Sequence, residues 1–251
     1  MLARRPLMIV LAAGLALLAG GSAMADETRV AVAANFTEPA KAIAAKFEAK
    51  TGHRAILSFG ASGQFYTQIA NGAPFEVFLS ADAERPTRAE AEGLAVAGTR
   101  FTYATGRLVL WSTTPGLVDG RGAVLARGKF EKLAIADPKS APYGLAAVET
   151  LTRLKLYDGL KPKVVTGSSI TQTYQYVQTG AAELGFVALS QVVNQPGGSR
   201  WIVPPANHTP IDQQAVLLKT GAGNPAAKAF LQFLKGAEAK AIIRRYGYEV
   251  R

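Results

Sequence analysis

Four short stretches of the sequence place small, hydroxyl, amide or proline residues where a helix is predicted to begin. They are AANFTEP (33–39), FGASGQ (59–64), DPKSAPYG (137–144) and TGSSITQ (166–172). The first turn of a helix has backbone N–H groups without an intrahelical acceptor, and the helix dipole makes that end positive. Such turns bind anions without a charged side chain. The pattern therefore predicts an oxyanion site built from several helix starts.

Asn35 and Ser62 have a second interpretation, because asparagine and serine are common at the N-terminal cap of a helix. Every α/β protein has capped helices, so these two residues alone leave capping and ligand contact as alternatives. Tyr143 and Ile170 would contribute only backbone N–H groups, a role that almost any residue can fill. The types of these two residues are therefore uninformative.

Enzymatic chemistry finds little support in the sequence. The two histidines, His53 and His208, lie in polar, loop-like segments without a partner at metal-ligand spacing, which predicts surface positions. The stretch around Ser62 lacks the glycine spacing of a nucleophile elbow. Asp82 and Glu84 fit turn and cap positions better than an acid–base pair. No Gly-Lys-Ser/Thr phosphate loop occurs either, so we predict no enzyme activity, no catalytic residue, no cofactor and no cationic metal site.

The charge of the chain suits an anionic partner. Its formal net charge is +10, and it contains no cysteine. The lysines and arginines are dispersed, without long basic runs and without arginine–aromatic interleaving, so we predict no nucleic-acid partner. Without cysteine, we expect neither a disulfide framework nor a cysteine-linked lipid anchor.

The first 25 residues have the order of a secretory signal peptide. Two arginines precede an apolar run from Leu7 to Leu18, which is shorter than the roughly 20 residues of a membrane-spanning helix. Ala23-Met24-Ala25 fits the small-x-small rule for cleavage, so we predict a mature start at Asp26.

Short apolar runs rich in β-branched residues alternate with segments of helical spacing, as in an α/β sheet. Predicted strands cover residues 28–35, 54–58 and 75–82, then 107–112, 132–138, 163–169 and 184–190, with a further strand at 215–220. Predicted helices include 64–70 and a C-terminal segment, 226–245. Ligands of open α/β sheets bind at the carboxyl ends of strands, which is where the four turns lie.

Five longer stretches carry a family resemblance. They are VAVAANFTEPAKAIAAKFEAKTG, LSFGASGQFYTQIANGAPFEVFLSAD, LAIADPKSAPYGLAAVETL, ELGFVALSQV and AEAKAIIRRYGYEV. Together they resemble the periplasmic molybdate-binding proteins of bacterial ABC transporters, which are class II periplasmic binding proteins. GAPFEVFLSAD and RRYGYEV are the most specific parts, and the resemblance covers essentially the whole chain after residue 25.

The resemblance implies a two-lobed α/β fold. Each lobe would be a mixed β-sheet flanked by helices, with two crossover strands forming a hinge and the ligand in the cleft between the lobes. Lobe 1 would contain residues 26–107 and 214–251, and lobe 2 would contain residues 108–213.

The resemblance also implies a ligand set. Asn35 and Ser62 would contact the anion through the side chain and the backbone N–H, and Tyr143 and Ile170 would contact it through the backbone N–H. Ala34 is a possible additional contact, although it supplies no hydroxyl.

Two departures from the family pattern affect selectivity. Many members have a serine where this chain has Asn35. Many members have a tyrosine whose hydroxyl reaches the anion where this chain has Ala188. Some members with asparagine at the first position lack that tyrosine as well. The site therefore has fewer side-chain donors than many relatives of this kind.

The function implied is capture of molybdate or tungstate in the periplasm and delivery to a membrane permease with a separate ATPase. The binding protein would be a monomer. Three alternatives stay open at this point: a sulfate or chromate binder of the same fold, an iron(III) binder using Tyr174 and Tyr176, and an exported hydrolase. An iron binder would need a cluster of hard oxygen ligands, and a hydrolase would need a nucleophile with a base.

Overall fold

The computed structural model describes residues 26–250. The predicted signal peptide, residues 1–25, lies outside the described residues. Among residues 26–250, no helix is both long and apolar enough to cross a membrane.

The described residues form two five-stranded mixed β-sheets. The strands are β1 (Glu27–Ala33), β2 (Arg54–Gly60), β3 (Val77–Ser80), β4 (Phe101–Gly106), β5 (Leu108–Ser112), β6 (Leu133–Ala136), β7 (Val164–Gly167), β8 (Leu184–Ala188), β9 (Ser199–Ile202) and β10 (Ile211–Leu217). The first sheet has the order β2-β1-β3-β10-β4, and the second has the order β7-β6-β8-β5-β9. In the first, β1 is parallel to β2 and β3, whereas β10 is antiparallel to β3 and β4. In the second, β6 is parallel to β7 and β8, whereas β5 is antiparallel to β8 and β9.

Helices cover the sheets. They are α1 (Thr37–Thr51), α2 (Ser62–Ala70), α3 (Glu84–Ala91), α4 (Val124–Arg127), α5 (Pro142–Arg153), α6 (Tyr157–Leu160), α7 (Ile170–Gln178), α8 (Leu189–Val192), α9 (Pro225–Leu234) and α10 (Ala237–Arg245). Short 3-10 turns lie at Ala34–Phe36, Lys161–Lys163, Pro205–Asn207 and Lys219–Gly221. Strands β3, β5, β6 and β8 are buried along their whole length, as expected for central strands with helices on both faces.

Each sheet organises one lobe. Helix α9 returns to the first lobe, where Phe230 packs edge-to-face on Phe47 of α1 at a centroid distance of 5.2 Å. The chain passes between the sheets twice, at Arg107 and again between β9 and β10. After α10 it runs back along β4, where Glu249 pairs with Thr105. The predicted two-lobed α/β class is confirmed, and the residue limits of the lobes stay a prediction.

Several element limits differ from those predicted. The first strand ends at Ala33, because Ala34–Phe36 already turns into a 3-10 helix. The predicted helix 226–245 is two helices, interrupted by extended backbone at Gly236. Strand β10 begins at Ile211 rather than at residue 215, because its polar first half still pairs with β4. Strands β4 and β9 were not predicted; both are edge strands with a mixed polar pattern.

Candidate functional site

A small cavity lies between the two lobes. Its walls are the starts of helices that follow the carboxyl ends of parallel strands: β1 and β2 on one side, and β6 and β7 on the other. The lining residues are Ala33, Ala34, Asn35, Gly60, Ala61, Ser62, Ala81, Ala141, Pro142, Tyr143 and Ile170. All five residues predicted for the site are therefore brought to the wall of one cavity. None of its lining residues carries a carboxylate, an ammonium, a guanidinium or an imidazole group.

Each predicted residue lies in the first turn of a helix. Ser62 and Ile170 are the first residues of α2 and α7, Tyr143 is the second residue of α5, and Ala34 and Asn35 open the 3-10 turn before α1. Backbone N–H groups at these positions have no preceding intrahelical acceptor. Four positive helix ends thus converge on a cavity that contains no fixed charge.

Ser62 is not a helix cap. The cap position of α2 is Ala61, which makes no side-chain cap bond. The buried Ser62 Oγ instead accepts a hydrogen bond from the Ala81 N–H at 2.9 Å. Because the oxygen is the acceptor there, its own hydrogen is free for donation to a group in the cavity. Of the two alternatives for this residue, capping is contradicted.

Asn35 is also not a cap, and its amide is turned into the protein. The side-chain nitrogen donates to Gln213 Oε1 and to the Tyr248 hydroxyl, both at 2.9 Å. Both amide hydrogens are therefore used away from the cavity, and the backbone N–H at the start of the 3-10 turn is the donor of this residue that the fold leaves for a ligand.

Behind the cavity lies a buried group of polar side chains whose hydrogen bonds to one another were not predicted from the sequence. We refer to Asn35, Tyr143, Ser190, Gln213 and Tyr248 as the interlobe network. Gln213 lies in IDQQ, a segment whose polarity indicates solvent exposure, yet it is fully buried. The one sequence signal was indirect: Tyr248 belongs to RRYGYEV, one of the most specific stretches of the family resemblance.

The tyrosines behind the cavity are protonated at neutral pH. Burial raises the pKa of Tyr248 to about 12, and burial raises the pKa values of Tyr143 and Tyr103 well above 10. Their hydroxyl groups therefore act as hydrogen-bond donors as well as acceptors across the physiological range. The Tyr143 hydroxyl lies in the network, where it accepts from Gln213 Nε2 at 3.2 Å.

On another side of the cavity the lobes touch through what we term the rim contacts. Gly63 N–H donates to the Ser140 carbonyl at 2.9 Å, and Arg85 Nη2 donates to the Lys139 carbonyl at 2.9 Å. A Cβ atom at Gly63 would lie 2.9 Å from Ser140 Cα. The lobes are thus in contact on both sides of the cavity, which is a closed arrangement.

The remaining candidate residues lie elsewhere. His53 is half-buried and accepts from the Asp26 N–H. His208 is buried, contrary to the predicted surface position, and its Nδ1 lies 2.8 Å from the Thr209 carbonyl oxygen. Tyr174 stacks on Trp111. Ala188 is buried with its N–H donating to Gln191 Oε1, and it does not line the cavity. Within residues 26–250, no three histidine, aspartate or glutamate side chains form a group that could hold a metal ion.

Two lobes that close over a cavity lined by helix starts define a solute-binding protein of the two-lobed α/β class. The family model described as bacterial extracellular solute-binding protein matches residues 28–249. The chain belongs to this family.

Two relatives and one solved structure that are similar to this chain are all molybdate-binding proteins. The chain is 60% identical over 240 residues to the molybdate-binding protein ModA of Rhodobacter capsulatus, covering 96% of this chain and 93% of the relative. It is 56% identical over 243 residues to ModA of Azotobacter vinelandii, covering 96% of both. The solved structure of an Azotobacter vinelandii periplasmic molybdate-binding protein matches with a TM-score of 0.87 and 43% identity, over 89% of this chain and 99% of that one. The predicted family resemblance is confirmed, and membership of a solute-binding family confirms a binding role rather than an enzymatic one.

Proposed function

We propose that this protein captures molybdate or tungstate and delivers it to the membrane permease of an ABC importer that is driven by a separate ATPase. The observation that carries the proposal is the convergence of four helix starts, from both lobes, on one uncharged cavity. The names of the relatives, ModA and periplasmic molybdate-binding protein, support the choice of anion. The protein holds no cofactor in this proposal, since the oxyanion is the transported ligand.

The proposed ligand set is Asn35, Ser62, Tyr143 and Ile170, with Ala34 as an additional backbone donor. Ser62 contributes its hydroxyl as well as its N–H, because Oγ already has a donor in Ala81. Asn35 contributes its backbone N–H, since its amide hydrogens are used by Gln213 and Tyr248. Tyr143 and Ile170 contribute backbone N–H groups from the opposite lobe.

Selectivity follows from the chemistry of these donors. A dianion that leaves water must recover its hydrogen bonds from fixed groups, and each charge-assisted bond contributes about 1.5–3 kcal/mol. A site made of donors disfavours protonated phosphate, because its buried O–H would lack an acceptor at a cost of about 1–3 kcal/mol. Sulfate is smaller than molybdate, so it would leave the donors of at least one lobe at a longer distance.

Three further features belong to the proposal. Residues 1–25 act as a signal peptide that is cleaved on export to the periplasm. Lobe 1 comprises residues 26–107 and 214–251, and lobe 2 comprises 108–213. The second boundary falls within β10, and Gln213 at that boundary pairs with Ala104 of β4, so it moves with the first sheet. The protein works as a monomer that presents both lobes to the permease.

The proposal is tested by calorimetric titration of the mature protein, stripped of ligand, with molybdate, tungstate, chromate, sulfate and phosphate. We expect molybdate and tungstate to bind at least about a hundredfold more tightly than sulfate, a difference of about 2.7 kcal/mol. Binding of sulfate or chromate alone would keep the fold and overturn the substrate.

Two serine substitutions test whether Ser62 contacts the anion. Ser62→Ala removes a donor from the cavity and is expected to weaken molybdate binding about tenfold or more. Ser112→Ala is the matched control, because Ser112 is equally buried but donates to the Glu183 carbonyl in the second lobe, away from the cavity. An equal loss of molybdate affinity in both variants would contradict the proposed contact between Ser62 and the anion.

A further inference from the structure

We propose that Gln213 and Tyr248 are positioning residues of the anion site, which hold Asn35 in place and tie it to Tyr143 and Ser190 of the opposite lobe when the lobes close. This inference rests on the proposed function and deepens it. Neither Gln213 nor Tyr248 lines the cavity. Both act on the anion through Asn35 and Tyr143, which line the cavity.

Gln213 links the two walls of the cavity. It lies on β10 of the first sheet and is fully buried. Its Oε1 accepts from Asn35 Nδ2 at 2.9 Å, and its Nε2 donates to the Tyr143 hydroxyl at 3.2 Å. One amide group therefore contacts a residue of the first wall and a residue of the second.

Tyr248 makes the second link, from the C-terminal segment. Its hydroxyl accepts from Asn35 Nδ2 at 2.9 Å and lies 2.8 Å from the Asn35 carbonyl oxygen and 3.0 Å from Ser190 Oγ. Its single hydrogen can be given to either of those two oxygens. Ser190, at the start of α8 in the second lobe, donates to the same Asn35 carbonyl at 2.7 Å.

The bonds that Ser190 and Tyr143 make to Asn35, Tyr248 and Gln213 exist only while the lobes are together. The bonds of Asn35 to Gln213 and Tyr248 lie on the side of the first sheet, so closure completes a network that is already partly formed. Because buried polar groups must be hydrogen-bonded, a closed form with any member missing leaves an unpaired group in a dry interior. The network therefore adds to the closing free energy only if all its members are present.

The missing side chain of a glycine, Gly106, leaves space for this network. A Cβ atom at Gly106, on β4, would lie 2.1 Å from the Tyr143 hydroxyl oxygen and 2.7 Å from Gln213 Nε2. The absence of a side chain at this position lets the hydroxyl and the amide meet.

Two tyrosines allow a matched test. Tyr248 and Tyr103 are both buried, and both pack edge-to-face on Phe36. The Tyr103 hydroxyl is bonded to Gln213 Oε1 and the Ser80 carbonyl, which both belong to the first sheet. Tyr103→Phe therefore removes a buried hydroxyl that does not bridge the lobes, and Tyr248→Phe removes one that does.

The measurement is molybdate titration of both variants, together with thermal melts of the ligand-free proteins and molybdate dissociation rates. We expect Tyr248→Phe to raise the Kd about tenfold, mainly through faster dissociation. The Kd of Tyr103→Phe should stay within about twofold of the Kd of the unchanged protein. Its melting temperature should fall by about as much as that of Tyr248→Phe. A merely structural role for Tyr248 would lower both melting temperatures and leave both affinities alike, which would overturn the inference.

Ser190→Ala supplies a second, independent reading. If Ser190 and Tyr248 act through one network, the double variant should weaken binding by about threefold less than the product of the two single effects. Independent, multiplying effects would overturn the inference. Failure of the unchanged protein to bind molybdate would instead overturn the proposed function, so the two failures are distinguishable.

Discussion

Two of the places where the lobes meet differ in chemistry. At the rim contacts, backbone groups of Gly63, Ser140 and Lys139 meet at the edge of the cleft, and one arginine side chain takes part. In the interlobe network, five buried side chains bond to one another. The rim therefore depends on the absence of a side chain at Gly63, whereas the network depends on the identity of every side chain in it.

This difference indicates how much each of the two places contributes to the free energy of closure. Hydrogen bonds near solvent replace similar bonds to water and contribute little, whereas an unpaired group in a buried network costs its full desolvation. We therefore expect the network to set most of the closing free energy and the rim to set how closely the lobes approach. The following substitutions test this division.

The largest effect is expected for Gly106→Ala. Its Cβ would overlap the Tyr143 hydroxyl and press on the Gln213 amide. Overpacking of this kind costs about 1–3 kcal/mol, and here the cost falls on the closed form. Molybdate affinity, measured by calorimetry, should fall about a hundredfold, or about 2.7 kcal/mol.

Gly120→Ala is the control for this substitution, because a Cβ at Gly120 has no atom within 4 Å. Unchanged affinity in Gly106→Ala would show that Tyr143 and Gln213 can separate freely, and the network would then have no part in closure.

Gly63→Ala addresses the rim and should have an intermediate effect. Gly63 lies within α2, where alanine is favoured over glycine by up to about 1 kcal/mol. In the closed form, however, its Cβ would meet the backbone of Ser140. We expect a ligand-free protein of equal or higher melting temperature that binds molybdate about tenfold more weakly.

The control is Gly159→Ala, a glycine of the short helix α6 whose Cβ would meet no atom within 4 Å. A fall in both melting temperature and affinity for Gly63→Ala would mean that the rim contact is part of the fold itself rather than of closure.

The cavity wall was largely predictable from sequence, whereas the rim contacts and the hydrogen bonds of the network were not. Small and hydroxyl residues at strand-to-helix turns indicated Ser62 and Asn35, because a helix start has its own local signature. The burial of Gln213 comes from pairing of β10 with both β3 and β4, which no local pattern encodes. The direction of the Asn35 amide depends on residues 178 and 213 positions away. Local chemistry thus predicts where the ligand binds, and tertiary pairing decides how the wall behind it is held.

The smallest effect is expected for Arg85→Ala at the rim. Arg85 forms an ion pair with Asp82 in its own lobe and reaches the opposite lobe through one hydrogen bond to a backbone carbonyl. Exposed contacts of this kind contribute about 0.2–1 kcal/mol, so molybdate affinity should fall about two- to threefold.

Arg88→Ala is the control for lost positive charge, because Arg88 pairs with Glu92 in the first lobe and makes no bond to the second. Titration at low and high salt separates long-range attraction, which both variants lose, from the rim contact, which only Arg85 makes. A loss for Arg85→Ala as large as that for Tyr248→Phe would place the closing free energy at the rim and reverse the division between the two regions.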